Sequence, residues 1–189
     1  MTTRLLLVCH VATAATRAAA FPNDEPLDDQ GQRRLAGLSR RLPRADHALV
    51  SPARGAIETA VGLGLQAEID LGLRDCDYGA WRGRRLDEIG TADPEALAQW
   101  LGDPASAPHG GESLLDLIGR VAAWLDGRRI VEGRTLAVTH AAVIRAAMVH
   151  ALGAPPHSFW RIDIAPLSAT ALSGDGRRWT LHALGRSLP

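Results

Sequence analysis

The chain contains no lysine: all 21 of its basic residues are arginine. Schiff-base chemistry, a lysine general base and a P-loop lysine are therefore excluded, and a phosphate could be held only by Arg, His or backbone N–H groups. Cysteine is scarce. Cys9 and Cys76 are the only two, with no CxxC pair, which is too few for a disulfide framework and fits a reducing, cytoplasmic compartment. There is no charge excess, since 21 acidic residues balance the arginines; a nucleic-acid or anionic-membrane binder would normally carry a basic surplus. Long apolar runs are missing as well, and nothing approaches the ~20 residues of a membrane helix. Arg4, Leu5 to Val8 and the Ala-rich stretch to Ala20 imitate a signal peptide, but Cys9 and His10 interrupt the apolar run after four residues. The same run makes a buried strand. What remains is 189 residues, 46% hydrophobic and 22% charged, enough for one domain over 1–189 with a full core, and unlike a disordered or collagenous chain.

Periodicity organises that domain. Leu5 to Val8 reads as a fully buried strand and residues 11 to 26 as a loop. Asp28 or Asp29 caps a helix whose Leu35, Leu38 and Leu42 share one face. Ala48 to Ser51 is a second strand, Pro52 opens a helix to about Gly62, and Ala67 to Leu71 reads as a third strand. Helical pieces near Asp87 and Ala96 follow. From Ser113 onward, Leu114, Leu117, Ile118, Val121, Trp124 and Leu125 form one amphipathic stripe. Thr135 to Thr139 is another buried strand, and Val143 to Leu152 an apolar helix closed by Gly153. Strands near Ile162, Ala171 and Leu181 finish the chain, the last two joined by a Gly174-Asp175-Gly176 turn. Alternating strands and helices imply an α/β fold, a three-layer sandwich with a mostly parallel central sheet flanked by helices.

Reactive residues collect where strands end. His10 ends the first strand, His140 ends the Thr135 to Thr139 strand, and Arg54 lies in the helix after the second. In an open α/β sheet, ligands bind outside the carboxyl ends of the strands. Each residue alone reads better as an isolated surface group; the three together point to one cationic site.

The ordered set of segments resembles the histidine phosphatase superfamily, the phosphoglycerate mutase-like proteins. The carriers are the strand ending Cys9-His10-Val11, Pro26-Leu27 with Gly31, Ser51-Pro52-Ala53-Arg54-Gly55, Asp75-Cys76-Asp77-Tyr78-Gly79-Ala80-Trp81-Arg82-Gly83, the intact Gly111-Glu112-Ser113-Leu114, and Val138-Thr139-His140. They span nearly the whole chain. The resemblance implies a phosphomonoesterase acting on a small phosphorylated metabolite through a phosphohistidine. His10 would be the nucleophile, Arg54 and His140 would neutralise phosphoryl oxygens, and Asp75 would be the acid. A free Asp has a pKa of about 3.9, so Asp75 would need burial or an anionic neighbour such as Asp77 to hold its proton. The alternative for Asp75 is a loop carboxylate paired with Arg74 or Arg82. Glu112, with Ser113, fits a phosphate contact or simply a helix start, and Trp81 and His109 fall near the implied site.

One position departs from the pattern. The family's Arg-His-Gly is Cys9-His10-Val11 here, which replaces a charged fork by a weak S–H donor. Losing one preorganised donor typically costs ~10²–10³ in rate. Arg17 in the first loop is the leading compensator, with Arg82 and Arg145 behind it. A tyrosine-phosphatase-type thiolate at Cys9 is excluded because the next arginine, Arg17, is two positions too far. A metal site from Cys9, His10, Cys76 and His140 lacks ligand spacing, and Cys9 reads best as a small buried hydrophobe. The expected substrate is thus a small anionic phosphate ester, with no cofactor, metal, nucleic acid or membrane. Two alternatives stand beside it. One is a silent family member that binds an anionic ligand or a protein. The other is an enzyme reusing His10, Asp75 and His140 for acid–base chemistry on a substrate without phosphate.

Overall fold

A computed structural model describes residues 3–38 and 42–188. Six strands form one sheet in the order β3-β2-β4-β1-β5-β6, where β1 is Thr3–Cys9, β2 His47–Val50, β3 Glu68–Ile69, β4 Gly133–Thr139, β5 Ser168–Gly174 and β6 Trp179–Ser187. The first four are parallel, while β5 pairs antiparallel with both β1 and β6.

Alternation along β1 builds the layers. Leu5, Leu7 and Cys9 face a core made with α6 (Leu114–Arg128) and α7 (Ala141–Ala151), including Leu117, Val121, Leu125 and Ile144. Leu6 and Val8 face the other side, where α2 (Asp29–Ala36) and α3 (Arg54–Gly62) bring Leu35, Ala56 and Ala60. Helices on both faces of a largely parallel sheet give the expected sandwich. A third cluster of Phe21, Trp81 and Ile89, joined by Tyr78 and Trp100, packs under α4 (Leu86–Ala92) and α5 (Pro94–Gly102). Asp28 caps α2 by accepting from the Gly31 N–H at 2.9 Å, and Ser113 forms a reciprocal capping box with Asp116 at the start of α6.

Several details differ from the sequence reading. The loop at 11–26 contains a one-turn helix, α1 (Ala14–Arg17), capped by Thr13 through a Thr13/Thr16 box. The helix expected to run through Leu42 ends at Ala36; Leu38 and Leu42 still pack on the core, and residues 39–41 lie outside the described residues. Pro52 precedes the N-cap Ala53 instead of opening α3. Ile162 is not in a strand. Two prolines set a 3₁₀ turn over Pro156–Arg161, which carries Phe159 into the core and leaves Ile162 as its cap.

Candidate active site

The register of three adjacent parallel strands delivers three side chains to one edge. Cys9 pairs with Thr139 and Val50 with Val138. The next residue of each strand, His10, His140 and Ser51, therefore emerges side by side at the carboxyl ends. The pairing continues one step further, with His10 N–H donating to Thr139 O and Ser51 N–H to Val138 O, both at 2.9 Å.

His10 is oriented by its own backbone. Its Nδ1 lies 2.7 Å from the Val11 carbonyl, which can only accept, so Nδ1 carries the proton. Burial, and then His140, press the His10 pKa down to about 4. The ring is therefore neutral above that pH, with the Nε2 lone pair free. Val11 is itself held, donating its N–H to Thr59 Oγ1 at 3.2 Å, while that hydroxyl donates to Gly55 O at 2.6 Å. A Cβ at Gly55 would stand 3.2 Å from the Thr13 methyl and 3.8 Å from His10 Nδ1, so glycine is what lets α3 close on the histidine.

His140 packs against His10 with ring centroids 4.9 Å apart and planes at 68°. Its Nε2 shares a 2.7 Å hydrogen bond with Ser51 Oγ, which also accepts the Ala53 N–H at 3.3 Å. Its Nδ1 sits 3.3 Å from Asp75 Oδ2, close but without hydrogen-bond alignment. Burial is the main cause, with Arg120 second, that presses His140 to about 3.

Asp75 reaches the pair from the segment after β3. Leu73 anchors that segment in the core, its carbonyl accepting from Thr139 Oγ1 at 2.8 Å. Arg120 on α6 clamps it by donating to the carbonyls of Gly72 (3.0 Å), Arg74 (3.1 Å) and Asp75 (3.1 Å), and to Glu112 at 2.7 Å. Asp75 Oδ1 accepts the Cys76 N–H at 2.9 Å. Burial nevertheless dominates and raises its carboxyl to about 6 against the pull of that N–H and of His10; the anionic neighbour that helps is Glu112. The role expected of Asp77 is therefore corrected. Asp77 is bonded to Arg82 and to the Gly79 N–H, both at 2.9 Å. Arg74 pairs with Glu112, so neither arginine holds Asp75.

His10, Asp75 and His140 line one cleft of 370 Å³ with Thr13, Glu25 and the first turn of α3. The other sequence candidates lie elsewhere. Arg54 is exposed on that first turn; its N–H donates to Asp24 Oδ1 at 2.8 Å and its side chain stands outside the cleft wall, although Ala53 and Gly55 belong to it. Arg17 is engaged with Asp28 and with Ala12 O, and does not enter the cleft. Cys9 is 3% exposed in the core, its thiol pushed up to about 12, chiefly by burial. Glu112 braces the 72–77 segment through Arg120, Arg74 and the Asp77 N–H. Trp81 and His109 pack on each other at 4.9 Å beside the cleft instead of lining it. Arg82 lines the cleft rim, and Arg145 lines an adjoining cavity.

Sequence reasoning missed Ser51, Thr59 and Arg120. Ser51 stands one step past a buried strand, the same signal that exposed both histidines. Nothing local marks Arg120, whose partners lie up to 48 positions away. Among the described residues, no group of three His, Cys, Asp or Glu side chains is set to hold a metal ion, and no helix is long and apolar enough to cross a membrane.

The pattern of the histidine phosphatase superfamily (branch 1) matches residues 5–187. The chain is 34% identical over 188 residues to the bifunctional protein Rv2228c of Mycobacterium tuberculosis, covering 92% of this chain and 51% of that one. It thus spans about half the length of that relative. It is 25% identical to phosphoserine phosphatase 1 of Hydrogenobacter thermophilus, over 93% of this chain and 88% of that one. The structure of mycobacterial glucosyl-3-phosphoglycerate phosphatase Rv2419c complexed with VO3 superposes with a TM-score of 0.84 at 26% identity, over 97% of this chain and 99% of that chain.

Proposed function

Because the chain belongs to the histidine phosphatase superfamily, we propose that it hydrolyses phosphoric monoesters of small molecules, with His10 as nucleophile and Asp75 as acid and base. One observation carries the reading. His10 is held as the Nδ1–H tautomer, with its free Nε2 in the cleft that also receives Asp75 and His140.

The steps follow from the groups present. His10 Nε2 attacks phosphorus; the P–N bond forms as the ester P–O bond breaks, and the leaving oxygen takes the Asp75 proton. Asp75, now a carboxylate, removes a proton from water. The resulting hydroxide displaces His10 from phosphorus and releases inorganic phosphate. Developing charge on the phosphoryl oxygens is met chiefly by the first turn of α3, whose N-terminus carries roughly half a positive charge, while the neutral His140 lends polarity and no charge. Arg54, exposed on that turn, closes onto the phosphoryl group once substrate is bound. Names of related proteins, phosphoserine and glucosyl-3-phosphoglycerate phosphatases, support a small phosphorylated substrate.

A second reading rests on the charge of the cleft. Both arginines on its wall are already paired, and it also holds Asp24, Glu25 and Asp77. That balance would suit acid–base chemistry on a substrate without phosphate. Turnover of a phosphomonoester panel with alkaline quenching separates the two. A phosphorylated protein, stable to base, labile to acid and absent in His10→Ala, is the expected result. Ester turnover that survives His10→Ala, or none at all with the folded protein, refutes the phosphatase reading.

A further inference from the structure

A second cavity of 240 Å³ opens beside the cleft and shares His10, Asp75, Cys76 and His140 with it. Its remaining walls have a different chemistry. Tyr78, Trp100, Phe159 and Trp160 supply rings, and Leu117 and Ala142 close the bottom. The rings brace one another: Trp100 and Trp160 meet at 4.8 Å and 73°, Phe159 and Trp160 at 4.9 Å and 84°. Edge-to-face packing of this kind makes a stiff wall, so the annex is preformed.

Its position relative to the chemistry is fixed by Asp75. The acid must touch the leaving oxygen, and Asp75 stands on the wall common to both chambers. With the phosphoryl group toward α3 in the polar cleft, the departing alcohol lies in the annex. A serine- or glycerate-sized alcohol would leave most of those ring faces uncovered, although Thr13, Thr16 and the Tyr78 hydroxyl also line the annex. A flat apolar body would not.

Arg145 adds a second requirement. It lines the annex with its Cζ 5.6 Å from the Phe159 ring centroid. Its Nε is buried and has no hydrogen-bond partner among the described residues. The nearest carboxylate, Asp163, is 3.9 Å away and 98% exposed, a pair that water screens. The terminal nitrogens thus have no hydrogen-bonded carboxylate among the described residues, and the charge on the annex wall is left for a ligand to meet.

We propose that the annex is the leaving-group site and selects phosphomonoesters of ring-bearing alcohols that carry an anionic substituent, the ring lying against Trp160 and the anion on Arg145. The inference rests on the phosphatase reading above, and its test is built to fail separately from it. Three alkyl esters with similarly poor leaving alkoxides serve as probes: glycerol 1-phosphate, benzyl phosphate, and benzyl phosphate with a para carboxylate. Expected kcat/KM rises at each step. The ring contributes at least about tenfold, the low end of what one group gains in an apolar pocket, and the carboxylate a further severalfold. Trp160→Leu should erase the ring step, and Arg145→Gln the carboxylate step alone. Because Arg145→Gln changes a partly exposed side chain, it keeps the test alive if Trp160→Leu does not fold.

Turnover of all three esters without preference overturns the annex assignment and leaves the phosphatase reading standing. Should nothing turn over, His10→Ala protein is titrated with the carboxylated ester, read by tryptophan fluorescence. Binding that weakens in an added Arg145→Gln change upholds the annex as a site for ring-bearing anions, while the phosphatase reading and the leaving-group role fail. Absence of binding overturns both.

Discussion

Replacing Asp75 by Asn tests the site most directly, because it removes one proton and little else. Asn keeps the acceptor for the Cys76 N–H, which Asp75 Oδ1 receives at 2.9 Å. Burial raises Asp75 from 3.8 to about 6, a preference for the neutral form of about 3 kcal/mol. Two consequences have opposite signs. In catalysis the proton is lost to the leaving group, so Asp75→Asn should lower kcat on an alkyl phosphate by ~10²–10⁴. On an aryl phosphate, whose leaving oxygen needs no proton, the loss should be under about tenfold. The basic limb of the kcat/KM profile, expected near pH 6 in the parent, should vanish from what activity remains. In stability the change should help. A group whose folded pKa is raised contributes stability below its unfolded pKa, and that contribution is lost as pH rises through the folded pKa. Between pH 4 and 6 the parent therefore loses stability relative to the Asn variant, on top of the histidine effect that both share. At pH 8 the variant should be more stable, by up to about 3 kcal/mol. Urea denaturation at pH 4 and pH 8 reads this, alongside kinetics on both ester types. Equal kinetic losses on alkyl and aryl esters, or a variant less stable than the parent at pH 8, would refute the role and its cause.

Three other outcomes are expected. Below pH 6.5 the buried neutral histidines cost stability, since the folded pKa values of about 4 for His10 and about 3 for His140 lie under the unfolded one; the urea midpoint of His140→Gln should fall less than that of the parent between pH 6.5 and 4. Arg120→Met leaves the buried Glu112 with only the more exposed Arg74 as counterion, and should cost less than the ~3–5 kcal/mol of a fully unpaired buried charge in urea denaturation while lowering kcat through a displaced Asp75. Cys9→Arg should raise kcat/KM on phosphomonoesters at pH 7.5 by at least about tenfold, within the ~10²–10³ carried by one preorganised donor. It should also lower Tm, because the new guanidinium enters a core position near Arg145; adding Arg145→Gln should recover part of that loss, and unchanged kcat/KM in both folded variants would count against a vacated clamp.

The elements that position the site were legible in the sequence wherever one residue type carried the signal. Leu5 to Val8 and Thr135 to Thr139 read as strands because they are buried on both faces, and each ends on the histidine that the fold uses. The residues holding those histidines were legible only in part. Ser51 and Thr59 act through hydrogen bonds set by strand register and helix approach, which no local window contains. The arginines misled for a related reason. Arg17, Arg82 and Arg54 all lie in segments next to the cleft, but an arginine's destination depends on which carboxylate is nearer. Asp28 and Asp77 take the first two, and Arg54 stays outside the cleft wall. The strand expected near Ile162 failed because apolar character alone does not distinguish a strand from a 3₁₀ turn that buries one Phe.

The replacement at Cys9 and the protonated Asp75 belong to one electrostatic arrangement. A phosphomonoester gives up its second proton near pH 6, close to the value at which Asp75 loses its own. Below that pH the ester is a monoanion facing a neutral acid; above it a dianion meets a carboxylate in a cleft that already contains Asp24, Glu25 and Asp77. An arginine at position 9 would be the natural counterweight to the second case. The cleft itself offers the α3 N-terminus, paired arginines and a neutral His140 instead, a field better suited to one negative charge than to two until Arg54 is drawn in from outside its wall. On the phosphatase reading, burial of Asp75 would do two things with one desolvated pocket: keep the leaving-group proton in place, and keep that carboxylate from repelling the substrate in the pH range where the substrate carries least charge. On the same reading, the protein is matched to the monoanion, and the binding it forgoes on the phosphoryl group must come from the alcohol, which is where the aromatic annex lies.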